Sequence, residues 1–395
     1  MNAQALRAEA PALGTRPIPA GPYYRADYFE LEREAIFQRV WLQVGHVSEL
    51  AESGSFIVRP VEIANASVLI TRGSDGKIRA FHNVCTHRGT QLVAEDSGKR
   101  SAFSCRYHRW TFGNDGRLRG APDFERFYVS KEQCDLRAIA VDVCGGLIFI
   151  NLDRSPSQSL QEFLGPLAQR LETFPASNAT TFAEYTYEIE ANWKLTYDNF
   201  QENYHLRFIH PRSGEAATGP DNPFGYPIRY GFHGPHRTQT IWSNPAAVPK
   251  DIQKIAFGKA VAFAMADGTA NAAQGKDYLA IFPNFFILGS PISPFSHCVM
   301  PISATRSRGV IRLYWKGDDD VASKRFAREY SMCTALDIHS EDRAVIEAGQ
   351  RGLSSGALDH IHFQEHEVLC RHLIEAVEQY VEGYKATQSV SGAAR

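Results

Sequence analysis

The stretch Phe81-His-Asn-Val-Cys85-Thr-His87-Arg-Gly89, answered downstream by Cys105-Arg-Tyr-His108-Arg-Trp110-Thr-Phe112, decides how this chain is read. Each half sets one thiolate and one imidazole on a tight loop, so two loops can close on one metal centre. Two Cys and two His suit a tetrahedral zinc. They equally suit an iron–sulfur cluster in which two thiolates hold one iron and two imidazoles the other. A zinc finger would carry both histidines on a helix. Here each loop supplies one Cys and one His among β-prone segments, which favours the cluster.

Around the loops, 56–60, 67–71 and 77–83 are β-prone runs punctuated by turns such as Gly73-Ser-Asp-Gly76. Gly145-Gly146 and Leu-Ile-Phe-Ile-Asn151 read as a closing strand. Residues 42–155 are therefore expected to form an all-β domain. Upstream, 1–41 comprise an Ala/Pro/Gly-rich arm and an amphipathic helix over 24–40. Downstream, 156–395 mix types. Residues 184–190 alternate with Tyr185, Tyr187 and Ile189 on one face. The spacing predicts one helix over 193–210, stopped by Pro211, then a long loop over 211–250. Strands are expected at 278–289, 297–303 and 309–315, and helices at 321–349, with an interruption, and at 361–384. The fold class is α+β.

The composition agrees with a globular chain of two domains: 395 residues, 44% hydrophobic and 22% charged. A formal net charge of −2 gives no reason to expect nucleic acid or an anionic membrane as partner. No apolar run is long enough to span a bilayer, and the N-terminus lacks a secretory pattern. Seven irregularly spaced Cys fit a reducing cytoplasm.

A cluster of this kind moves single electrons, which need a destination. His205 and His210 lie five apart near a predicted helix end. With one carboxylate they would give the two-His, one-carboxylate face that leaves an iron open positions for O2 and substrate.

The flanks of both constellations resemble those of one family. The Cys85/His87 and Cys105/His108 loops are similar to the Rieske loops of ring-hydroxylating oxygenases. Asn192-Trp-Lys, with Glu202 three residues before His205, resembles the catalytic motif of the same α subunits, and the likeness runs through nearly the whole chain in order. The resemblance implies an all-β Rieske [2Fe–2S] domain, a helix-grip catalytic domain and a mononuclear non-haem Fe(II) held by His205, His210 and a distant carboxylate. The best match for that carboxylate is Asp342 in Ser340-Glu341-Asp342, with Gln350-Arg-Gly-Leu after it; Glu341 is the runner-up. Glu202 matches the acid that links this site to a neighbouring subunit's Rieske His, here His108. Phe208, Phe282 and Asn284 are candidate substrate-pocket residues. One departure stands out: Arg109 follows His108 where the family commonly has Gly, and Arg106 follows Cys105 where it has a small residue or Pro.

As a terminal oxygenase the chain would form a homotrimer and draw NAD(P)H electrons through a separate reductase, with or without a ferredoxin, since it shows no dinucleotide fingerprint of its own. The expected reaction is O2-dependent hydroxylation of an aromatic or other small organic substrate. The alternative is a monooxygenase or demethylase acting on a quaternary ammonium or methoxy compound. A bare electron carrier is the reading from another class, and His205, His210 and Asp342 argue against it.

Overall fold

The computed structural model describes residues 13–210, 213–266, 277–289, 294–317 and 321–393. Pro211 and the first part of the expected N-terminal arm lie outside them. The chain divides into two compact units, residues 37–163 and residues 1–36 with 164–395.

The smaller unit is all β. Its strands are Leu42–His46 (β1), Ser55–Val61 (β2), Ala66–Arg72 (β3), Ile78–His82 (β4), Ser97–Lys99 (β5), Ala102–Ser104 (β6), Thr111–Gly113 (β7), Leu118–Gly120 (β8), Ala138–Cys144 (β9) and Leu147–Asn151 (β10). Seven of them form a sheet in the order β1-β10-β9-β4-β3-β2-β5, and β6-β7-β8 form a second, smaller one. Phe56, Leu69, Phe81, Phe103, Trp110 and Phe112 make its core. The Cys85/His87 loop follows β4, and the Cys105/His108 loop joins β6 to β7.

The larger unit is built on one antiparallel sheet. Its strands are Thr181–Ile189 (β11), Arg229–His233 (β12), His236–Thr240 (β13), Asp277–Ile281 (β14), Phe285–Leu288 (β15), Phe295–Ser303 (β16) and Arg306–Trp315 (β17), ordered β11-β17-β16-β15-β14-β13-β12. Besides the short helix Leu167–Glu172, the helices are Ala26–Glu32 (α1), Trp193–Asn199 (α2), Leu206–Ile209 (α3), Asp251–Ala266 (α4), Ala322–Ser354 (α5) and Val368–Ala393 (α6). Helix α5, 33 residues long, packs against α2, α4 and β11. The alternation of 185–189 is realised: Tyr187 and Ile189 are buried with Ile311 and Ile346. Among the described residues no helix is long and apolar enough to cross a membrane.

The Asn192-Trp193-Lys194 motif proves to be a joint between helices. Asn192 caps α2 by accepting from the Lys194 N–H at 3.0 Å, while its own N–H donates to Gln350 Oε1 of α5 at 2.8 Å. The Gln350 amide then donates to the Tyr23 carbonyl at 3.1 Å. Trp193 Nε1 and Lys194 Nζ both donate to the Glu32 carboxylate of α1, at 3.0 and 2.5 Å, with the Lys194 and Glu32 side chains fully buried. A capped and bonded helix end of this kind holds α2 and α5 in one register. That register matters because the functional histidines follow α2 and Asp342 rides on α5.

Several elements differ from expectation. The helix over 193–210 is not continuous. It stops at Asn199, and Glu202 turns its carboxylate back onto the Tyr204 and His205 N–H groups, starting the separate turn α3. A side-chain acceptor that captures backbone N–H groups two and three residues on competes with a continuous helix at that point. The supposed loop of 211–250 contains the β12–β13 hairpin, and α4 was not foreseen. The single strand over 278–289 is two strands, folded back between Ile281 and Phe285. The helix over 24–40 is cut to α1 and a wider turn, Arg33–Phe37.

Candidate active site

The two loops of the small unit share one backbone pattern. The Cys85 N–H donates to the Thr90 carbonyl and the Gly89 N–H to the Cys85 carbonyl, at 2.8 and 2.9 Å. In the second loop Cys105 N–H meets the Trp110 carbonyl at 2.8 Å, and Arg109 N–H the Cys105 carbonyl at 3.0 Å. Gly89 and Arg109 therefore hold equivalent positions, and both have positive φ, +76° and +59°. This is the reason glycine suits the place: a Cβ there costs about 1–2 kcal/mol. The His87 and His108 rings lie 4.6 Å apart between centroids, and His87 stacks on Trp110 at 4.8 Å. Cys85 and Cys105 are buried, and the thiols touch; burial first, and then the neighbouring Cys105 thiol, push the Cys85 thiol up. Buried Nδ1 of His108 has no hydrogen-bond partner among the described residues. Two buried thiols and two adjoining imidazoles, one with an orphaned nitrogen, fit a Rieske cluster.

In the larger unit, His205, His210 and Asp342 present ligand-type atoms all within 4.8 Å of one another. Asp342 Oδ1 lies 2.9 Å from His210 Nε2 and 3.5 Å from His205 Nε2. Donor atoms about 2.1 Å from a common ion are about 3.0 Å apart at right angles and about 3.4 Å at a tetrahedral angle. Among the described residues, both His210 Nε2 and Asp342 Oδ1 are buried without a hydrogen-bond partner despite their short separation, as groups aimed at a shared third point would be. The donor set and spacing fit a mononuclear iron.

The outer nitrogens are also held. Glu202 Oε1 pairs with His205 Nδ1, and Glu341 Oε2 with His210 Nδ1 at 2.7 Å. Ser213 Oγ donates to the same Glu341 oxygen. Glu341 and Asp342, adjacent in sequence, thus address opposite nitrogens of one ring. Each carboxylate accepts a ring N–H and leaves Nε2 with its lone pair toward the centre.

A cavity of about 390 Å3 opens on these residues. Its walls include Phe200, Phe257, Tyr278, Phe286 and Phe295, and the α5 stripe Ser331, Thr334, Ala335, Ile338 and His339. Burial holds the His339 imidazole down, to about 4. The side chain packs on Tyr187 at 3.9 Å between centroids. Tyr187 in turn lies across Gly309 on the next strand, where any Cβ would meet the ring at 2.1 Å, and pairs with His297 Nε2 at 2.7 Å.

The three sequence candidates for the pocket are displaced from it. Phe208 is 62% exposed on α3. Phe282 stacks on Tyr380, and Asn284 donates to the Val299 carbonyl at 2.9 Å; both sit in the β14–β15 turn and do not line the cavity. The strand singled out as a cavity wall does contribute, through Tyr278, Phe286 and Leu288. His339 was missed, although its spacing of three residues from Asp342 puts both on one helix face.

Residues 40–139 match the Rieske [2Fe-2S] domain, and residues 176–383 match the catalytic domain of the ring-hydroxylating alpha subunit. The chain belongs to the ring-hydroxylating oxygenase α-subunit family. This Rieske oxygenase is an oxidoreductase whose cofactors are a [2Fe–2S] cluster and a mononuclear iron. It is 29% identical over 373 residues to the glycine betaine monooxygenase oxygenase subunit of Pseudomonas aeruginosa, a match covering 86% of this chain and 83% of that protein. It is 35% identical over 202 residues to the carnitine monooxygenase oxygenase subunit of Escherichia coli, covering 51% of this chain and 54% of that one. In fold it is similar to the quaternary ammonium Rieske monooxygenase CntA in complex with L-carnitine (TM-score 0.73, 24% identity, 92% of this chain and 95% of that chain). It is also similar to naphthalene 1,2-dioxygenase from Rhodococcus (TM-score 0.72, 21% identity, 96% and 98%).

Proposed function

We propose that this oxygenase is a monooxygenase that oxidises a carbon next to the nitrogen of a quaternary ammonium compound, with electrons supplied by a separate reductase. The observation that carries this reading is the cavity: Phe200, Phe257, Tyr278, Phe286 and Phe295 line a space that His205, His210 and Asp342 also line. Aromatic faces attract a desolvated alkylammonium by cation–π interaction, worth up to about 2 kcal/mol each. Glu202 adds a carboxylate to the same lining. The relatives named for betaine and carnitine support this choice over aromatic hydroxylation, the first expectation from sequence.

Cys85, His87, Cys105 and His108 would hold the cluster, and His205, His210 and Asp342 the mononuclear iron. When bound, these groups supply single-electron relay and O2 activation. The chain's residues do the rest. The aromatic walls exclude water and orient the cation so that one C–H faces the histidines. Glu202 and Glu341 fix the His205 and His210 tautomers. Of about four acceptor sites on a carboxylate, Glu202 uses three for the Tyr204 and His205 N–H groups and the His205 ring. One remains on Oε1 for a ring N–H of a neighbouring subunit's His108 in a trimer. In balance, one oxygen atom of O2 enters the C–H bond. The other leaves as water with two electrons and two protons. The resulting α-hydroxyalkylammonium then gives up its hydroxyl proton as the C–N electron pair returns to nitrogen, leaving an aldehyde, a tertiary amine and one proton.

The test is O2 uptake by the enzyme with a matched reductase, against trimethylammonium compounds and against neutral aromatics. Stoichiometric aldehyde and tertiary amine from the ammonium compounds is the expected result. Uptake only with aromatics, yielding ring-hydroxylated product, would sink the proposal.

A further inference from the structure

His339 is 97% buried by its exposure of 3%, yet neither ring nitrogen has a hydrogen-bond partner among the described residues. A neutral imidazole always carries one N–H donor and one acceptor. Buried polar atoms are almost always satisfied, so two open ones on a single ring call for a missing partner. The missing partner has a place to be: His339 lines the cavity, one helical turn before Asp342 on α5. Its flanks are closed by Tyr187, and Tyr187's hydroxyl is spent on His297. The lining holds a second group of the same kind. Gln239 on β13 is 4% exposed, its Oε1 is buried and without a hydrogen-bond partner among the described residues, and it lines the same space. On the same stripe of α5 the Ser331 and Thr334 hydroxyls donate to the Ala327 and Tyr330 carbonyls of their own helix, and much of the rest of the lining is aromatic and aliphatic. Such a pattern, a mostly apolar cavity with a few convergent polar groups, is how small-molecule sites fix orientation.

We infer that His339 is a specificity-determining positioning residue that donates a hydrogen bond to an oxygen of the substrate, with Gln239 of β13 as a second polar group for the same end. The substrate is then an amphiphile: an alkylammonium end against the aromatic faces and an oxygen-bearing end at His339. The inference rests on the reading of the cavity as a quaternary-ammonium site only for the first end. With its ring kept neutral by burial, His339 serves as a donor across the working pH range without carrying charge. A site that hydrogen-bonds a substrate oxygen rejects the analogue lacking it, because its own polar atoms are left unpaired.

The experiment measures binding by calorimetry with two matched pairs: choline against ethyltrimethylammonium, and benzyl alcohol against toluene. The variants are His339→Phe, which keeps a ring and removes both nitrogens, and His339→Gln, which restores a donor. In the wild type the hydroxylated member should bind at least tenfold tighter. His339→Phe should erase that ratio while moving the unhydroxylated member by less than twofold, and His339→Gln should recover part of it. Iron content and the Rieske absorbance serve as controls for an intact site. Equal losses for both members in His339→Phe, as a packing role would give, overturn the inference. So does a wild type with no preference for the hydroxylated member of either pair. If only the neutral pair binds and shows the preference, His339 keeps its role and the quaternary-ammonium reading fails.

Discussion

Adjacent acids on one helix make a sharp test, because the structure gives them different jobs. Asp342 Oδ1 stands beside both His Nε2 atoms, and Glu341 holds the far nitrogen of His210. Asp342→Ala removes one of three donors, so the mononuclear iron should be lost and total iron should fall from about three to about two per chain. Glu341→Gln keeps the size and loses the charge. Removing a carboxylate behind a ligating His weakens metal binding by about 10–100-fold, equivalent to about 1.4–2.7 kcal/mol. Glu341 is only 25% exposed, so solvent screens little of that effect. The assay is anaerobic Fe(II) reconstitution followed by dialysis against graded chelator, with iron counted against the Rieske absorbance of the same sample. The wild type and Glu341→Gln should reach the same plateau, with midpoints 10–100-fold apart, while Asp342→Ala never rises above the cluster's iron. If Asp342→Ala keeps its third iron and Glu341→Ala loses it, the division of labour is reversed and the assignment is wrong.

Glu202→Gln should keep both metal centres and normal Rieske reduction, yet lose about 10–100-fold in turnover; near wild-type turnover would make Glu202 a plain surface acid. Phe286→Leu should raise the apparent KM for a trimethylammonium substrate by about 2–30-fold through the lost cation–π contact, read from initial rates of O2 uptake. Lys194→Met leaves the Glu32 carboxylate buried without its partner and should cost about 3–5 kcal/mol in chemical denaturation, with the Glu32→Leu/Lys194→Met double variant recovering most of it. Burial, and then the Arg237 guanidinium, depress the His372 imidazole to about 3. The unfolded chain therefore takes up a proton first as pH falls below about 6.5. Stability should drop by up to about 1.4 kcal/mol per pH unit between there and pH 3, and His372→Leu should flatten that slope in thermal melts.

Much of the site was legible because its chemistry is local. Cys85-Thr-His87 and Cys105-Arg-Tyr-His108 each complete a loop within six residues, and their backbone bonds stay inside that window. Even the departure at Arg109 carried information, since glycine's usual place there marks the left-handed residue observed at φ +59°. What was misread depended on distant partners. The break after Asn199 comes from the Glu202 carboxylate folding back, and no periodicity signals it. The β12–β13 hairpin was hidden because His236, Arg237, Thr238 and Gln239 are polar yet buried. The pocket candidates Phe282 and Asn284 lie in a strand-rich stretch, and the reversal between β14 and β15 places them in a turn outside the cavity lining. His339 was unreadable until α5 was known to run unbroken through Asp342.

Helix α5 sets Ser331, Thr334, Ala335, Ile338, His339 and Asp342 along one edge of the cavity. At about 1.5 Å per residue, Ser331 stands about 16 Å up the axis from Asp342. The helix is thus a graduated scale whose zero mark is the carboxylate. A bulkier side chain at any division shortens the chamber by a known amount and leaves the origin untouched. Relatives that handle long and short molecules could differ by nothing more than which division is filled.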